Sequence, residues 1–318
     1  PSPRPPTPPM DSLPPPPSLP PFGSLPSLPW PDLVAGAAGA TLRLVSAHSR
    51  HFLALSCLLL LPLSLLLLSL PTPFPGASPS VSLRSPQDSW SNPLLLLALV
   101  AALLYLAAFA AAAASAHAGF FGRPVKLLAS LISVPASVLR VLLTALPASP
   151  LLLIPLLPLP AEISTGIALL GVSLLAPFWS LAGAAAIVES TAGPSALRQS
   201  CRLLSGARLA ALSAFLVLAA GIGIVLWGFS GVAMETYDAA TGWAGMAPAV
   251  VKAMVGTAML AAMMLYGMVI NVVLYMHCRA LHGELTGEIY NEFASSYVYL
   301  PFDEGKDHHI VSVVTLWP

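Results

Sequence analysis

Charge is scarce in this chain. Only 8% of its 318 residues are Asp, Glu, Lys or Arg, where a soluble domain carries about a quarter. So few ionised groups cannot keep a surface wetted, which excludes an ordinary soluble fold. The charges also cancel, 13 Lys+Arg against 13 Asp+Glu, so no basic field exists to hold nucleic acid. Cysteine is nearly missing. Cys57, Cys201 and Cys278 are odd in number and far apart, which excludes a disulfide framework and a CxxC redox or zinc pattern. The chain likewise lacks GxSxG, a Walker phosphate loop, GxGxxG and a DxDxDG calcium loop.

What is abundant is hydrocarbon, at 57% of residues. A membrane-spanning helix needs about 20 mostly apolar residues, because each residue rises about 1.5 Å through a core about 30 Å thick. Six stretches approach or exceed this length without a Lys, Arg, Asp or Glu: residues 52–70, 94–116, 141–161, 163–188, 209–230 and 253–276. The expected fold is therefore all-α, an integral membrane bundle of about six spans. The third stretch holds Pro147, Pro150, Pro155, Pro158 and Pro160, each of which removes a helical hydrogen bond. A kinked or re-entrant segment is expected there. Residues 1–32 contain fifteen prolines and read as a disordered or polyproline II leader. Residues 33–52 read as an interfacial helix.

Positive residues distribute unevenly about these spans. With six crossings, Arg4, Arg43, Arg50, Arg123, Lys126, Arg140, Arg198, Arg202, Arg208, Arg279 and Lys306 share one side, and only Arg84 and Lys252 the other. Eleven against two predicts that both termini, including the tail 280–318, face the cytosol.

Two inner segments are amphipathic. Lys126, Ser130, Ser133, Ser137 and Arg140 recur at steps of four and three, one polar stripe on an apolar helix. Arg198, Gln199, Arg202 and Ser205 make a second such face. Both read as helices in the headgroup layer, which nominates Lys126, Arg140, Arg198 and Arg202 as lipid-headgroup contacts, although basic residues there also serve topology alone. Cys201 and Cys278 lie beside the membrane and are candidate palmitoylation sites. Tyr297 and Leu300 fit the Tyr-x-x-bulky pattern of a sorting signal.

The stretch "YMHCRALHGELTGEIYNEF" from Tyr275 gathers two histidines, a cysteine and three glutamates. Glu284, Glu288 and Glu292 are spaced to share one helical face, and the spacing of His282 and Glu284 fails the HExxH pattern. A solvated helix leaving the membrane accounts for it better than a metal site. Mid-span ionisable groups, the usual mark of a proton-coupled carrier, are missing, and Asn271 is the one strongly polar side chain deep in the sixth span.

The segments "FFGRPVKLL" (Phe120–Leu128), "ALRQSCRLLSGAR" (Ala196–Arg208) and "HCRALHGELTGEIYNEFASSYVYLPFDEGKDHHIVSVV" resemble those of a plant family of uncharacterised multi-pass transmembrane proteins. The likeness runs from about Leu33 to Val314. It implies an all-helical membrane protein and supplies no catalytic residues. The resulting expectation is a non-enzymatic scaffold, trafficking or membrane-organising component of the endomembrane system or plasma membrane. No cofactor or metal is expected, and the expected partners are the lipid bilayer and other membrane or cytosolic trafficking proteins. The alternative is a channel or facilitator for a neutral or apolar solute, built around the proline-broken third span.

Overall fold

The computed structural model describes residues 29–69, 93–123, 125, 127–148, 161–205, 207–229 and 242–282. The described residues form helices and the turns between them, with no strand. In chain order the helices are α1 (Trp30–Ala47), α2 (Ser49–Ser69), α3 (Pro93–Phe120), α4 (Leu127–Ala145), α5 (Ala161–Val188), α6 (Pro194–Leu203), α7 (Arg208–Phe229) and α8 (Gly242–Leu281). Helix α8 is the hub, touching α1, α2, α3, α5, α6 and α7. This is the all-α membrane bundle that composition requires.

Local chemistry explains where the helices start and how they bend. Pro29 precedes α1 and Pro31 lies in its first turn, where a missing amide costs nothing. In α2 the residues Ser56–Leu60 widen into a π turn, and the Leu61 amide reaches back to the Ser56 carbonyl. Pro62 follows at once, and its ring would clash with the carbonyl four residues earlier in a regular helix. The wider turn relieves that clash.

Contacts fix how the helices lie together. Antiparallel α7 and α8 meet at Leu218 with Gly267, Met263 with Gly221, and Phe229 with Gly256. His51 at the start of α2 meets Ser115 near the end of α3, and Phe120 stacks edge-on to His277 of α8. One end of the bundle therefore gathers the start of α2, the ends of α3, α5 and α8, and the start of α7. Burial concentrates towards it: Ala108, Ala110–Ala113 and Ala116 of α3, Ala182 and Ala184–Ala186 of α5, and Leu260 to Cys278 of α8. The other halves of α3, α5, α7 and α8 expose apolar side chains such as Leu96, Leu170, Ile224 and Met254. That distribution fits a bundle whose outer solvent is hydrocarbon.

Five helices are long and apolar enough to cross a membrane, namely α2, α3, α4, α7 and α8, and α5 contributes a further apolar helix of 28 residues. Three segments differ from expectation where they are described. Helix Leu127–Ala145 fuses the expected surface helix to the first residues of the third apolar stretch, and residues 149–160 of that stretch lie outside the described ones. Two serines of the α4 stripe face protein, Ser130 and Ser137 being buried, whereas Ser133 is exposed and donates to the Ser130 carbonyl of its own helix, and Leu128 and Ile132 are each 74% exposed. Part of the polar stripe therefore turns towards neighbouring helices while large apolar side chains point outward, partly inverted relative to a helix in water. Finally, α1 packs along the other helices. Tyr266 of α8 donates to the Ala38 carbonyl at 3.5 Å, and Leu44 and His48 pack on Gly119 at the end of α3, so α1 stands lengthwise in the bundle beside α7 and α8. The proline-rich segment 1–28 and the tail beyond His282 lie outside the described residues.

Helix α4 is set obliquely. Ser130 contacts Ser115, and ten residues on, about 15 Å of helix, Arg140 still reaches Ser190 beside the end of α5. Both contacts belong to the same end of the bundle.

Dense alanine packing leaves no room for larger side chains. Ala112→Leu or Ala185→Leu should lower the stability of the purified protein by about 1–3 kcal/mol through overpacking, read from denaturation in detergent. Val217→Leu on the exposed face should leave it unchanged, and equal effects at all three sites would refute this packing.

Candidate functional site

At the packed end one carboxylate fastens three helices. Helix α5 finishes at Val188, and Ser190 (φ 55°) and Gly193 (φ 71°) reverse the chain into α6. Gly193 combines φ 71° with ψ −141°, a conformation that side chains with a Cβ avoid. The turn lays α6 back along α5, where the Ser200 hydroxyl donates to the Phe178 carbonyl at 2.7 Å. Gln199 Nε2 then donates to Glu189 Oε1 at 2.5 Å. The Tyr275 hydroxyl of α8 donates to the same oxygen, and Arg279 Nε lies 3.3 Å from it. The Arg279 guanidinium also stands 6.0 Å from the centre of the Tyr275 ring, within cation–π range.

The energetic sense of this knot follows from burial. Tyr275 is fully buried, and a buried phenol needs a partner for its hydroxyl. Glu189 supplies it while keeping 21% of its side chain accessible, against 12% for Arg279. The pair therefore keeps some contact with solvent and avoids the full desolvation cost of a deep ion pair. Arg140 Nη1 adds α4 by donating to Ser190 Oγ at 3.1 Å. Chemically the arrangement is a fastening: two donors converge on one carboxylate oxygen and the adjacent Arg279 guanidinium matches its charge.

The residues nominated from sequence scatter over this end. Arg140 is half-buried and held by Ser190, which makes it part of the fastening as well as a basic residue. Arg198 and Arg202 are exposed on α6, whose other face buries Ala196, Ser200 and Leu203. Lys126, Tyr297 and Leu300 lie outside the described residues. The two nominated thiols separate: Cys201 is exposed between Arg198 and Arg202, whereas Cys278 is fully buried, so only Cys201 presents sulfur to an acyl donor. Asn271 bonds within its own helix, its amide donating to the Gly267 carbonyl at 2.8 Å. His277 and His282 each place Nδ1 2.8 Å from the carbonyl four residues earlier. Among the described residues no three His, Cys, Asp or Glu side chains are grouped to hold a metal.

Sequence reasoning did not bring Glu189 to Tyr275, which stand 86 residues apart. One signal was present: Tyr275 and Arg279 are four residues apart and share a helical face.

The knot can be dissected by mutation. Glu189→Ala should cost about 1–3 kcal/mol, because Tyr275 loses its buried partner, and Glu189→Gln less. A double-mutant cycle of Glu189→Gln with Tyr275→Phe should show coupling above about 0.5 kcal/mol. Additive effects in detergent unfolding would dissolve the knot into separate contacts.

A family model described as a domain of unknown function (DUF8558) matches residues 159–292. That stretch takes in α5 to α8 and with them Glu189, Gln199, Tyr275 and Arg279. No curated protein and no solved structure matches the chain.

Proposed function

We propose that this protein is a non-enzymatic membrane scaffold, a component that organises or traffics membranes and presents its packed, basic end to the cytosol. The observation that carries this reading is the closed packing of that half. Alanines of α3 and α5 meet α8 with no exposed surface, and the Glu189 knot ties the helices where a gate would have to open. The polar side chain that a solute path would use, Asn271, is spent on its own helix. A rigid bundle with exposed Arg198, Cys201 and Arg202 on a surface helix suits attachment to lipid headgroups and to other proteins.

The positive-inside rule supports an orientation in which the end that carries Arg123, Arg140, Arg198, Arg202 and Arg279, where α8 finishes, faces the cytosol. Helix α1 runs lengthwise for 18 residues, about 27 Å, so Trp30 stands towards the opposite end from His48. This orientation sets the start of α1 towards the far side; counting Arg4 there turns eleven against two into ten (11 − 1) against three (2 + 1).

The channel reading is separated by flux. Full-length protein reconstituted into liposomes should pass radiolabelled glycerol no faster than protein-free liposomes. Faster passage that Asn271→Ala abolishes would replace the scaffold with a facilitator.

A further inference from the structure

A second polar group lies on the other side of the packed end, apart from the Glu189 knot. Ser115, near the end of α3, is only 1% exposed. Nε2 of His51, on α2, stands 2.8 Å from its Oγ, and the Ser115 hydroxyl donates to Ser130 Oγ of α4 at 3.2 Å. Three helices thus contribute to one chain of hydrogen bonds in a seam otherwise built of alanine.

This chain opens on a cavity of about 240 Å³ lined by Ala114, Ser115, Ala118, Ala129, Ser130 and Ser133. Alanines make the void, because their side chains stop at Cβ where α3 and α4 face each other. Among the described residues no lining side chain is charged. A phosphate brought against them would be desolvated without a countercharge from those residues, at high cost, and a bare hydrocarbon chain would gain nothing from serine hydroxyls. A hydroxyl both donates and accepts, and so does each link of the Ser115–Ser130 pair. Next to the lining residues along α4, Leu128 and Ile132 are each 74% exposed, and an apolar body can lie against them.

The geometry points to a binding site for an uncharged membrane lipid that carries a single hydroxyl. That hydroxyl joins the Ser115–Ser130 pair inside the cavity, and the apolar remainder follows Leu128 and Ile132 along α4. Sterols and diacylglycerols share this chemistry. The oblique set of α4 creates the site, since a helix packed flush on α3 would close the cavity. The inference goes beyond the scaffold reading and does not depend on it.

The test uses full-length protein in phosphatidylcholine nanodiscs, with a photoactivatable radiolabelled sterol and a photoactivatable diacylglycerol in separate arms. At least one probe should label peptides of α3 or α4, and the arm that labels identifies the source. Unlabelled lipid of the same kind should compete, while its methyl ether, which cannot donate, should compete at least fivefold less well. Ala129→Leu, at an exposed position on the cavity wall, should cut labelling at least fivefold with an unchanged elution profile. Labelling by neither probe overturns the site. So does equal competition by the methyl ether or displacement by phosphatidylserine. The ether comparison needs no variant, so a misfolded Ala129→Leu protein leaves the inference decidable.

Discussion

Helices in a bilayer gain little from burying hydrocarbon against hydrocarbon, because lipid tails are as apolar as leucine. What holds such a bundle is close approach, and here alanine permits it. Ala110–Ala113 of α3 and Ala184–Ala186 of α5 are all at or below 1% exposure, which brings both backbones against α8. Gly183 continues the same logic, since a Cβ there would stand 3.0 Å from the Phe109 ring. Dispersion contacts at this spacing are many and individually small. Their sum sets the geometry on which the remaining features rest.

Polar groups then appear where close packing ends. Glu189 follows the last turn of α5, and its partners come from α6 and α8, so the carboxylate locks an arrangement that alanine has already allowed. The His51–Ser115–Ser130 chain plays the comparable part between α2, α3 and α4. Away from this end the helices show leucine, valine and methionine outward, and lipid supplies the contacts that protein does not. A bundle tightly packed at one end and apolar on its outer face at the other is suited to holding surface groups in place.

Much of this was legible in the residues. Five of the six apolar stretches lie on helices close to where hydropathy puts them, because spanning length and the exclusion of charge are properties of single segments. The misreadings have one cause. Polar periodicity says which residues share a face, but not whether water or protein lies beyond it. For α4 the stripe of Ser130 and Ser137 turned inward, and for α1 the small residues Ala37 and Thr41 became buried contacts rather than one side of a surface helix. The Glu189 knot was hidden for a different reason. Its members come from segments far apart in sequence, so only the fold shows that the lone carboxylate after α5 and the tyrosine of α8 meet.

The account stands on α1 belonging to the bundle and on the packed, basic end facing the cytosol. The most direct measurement is protease accessibility in sealed, cytosol-side-out vesicles carrying the protein with different tags at its two ends. The account predicts that external protease removes the C-terminal tag and spares the N-terminal one until detergent is added. Removal of both tags would contradict the lengthwise α1, and protection of the C-terminal tag would contradict the orientation itself.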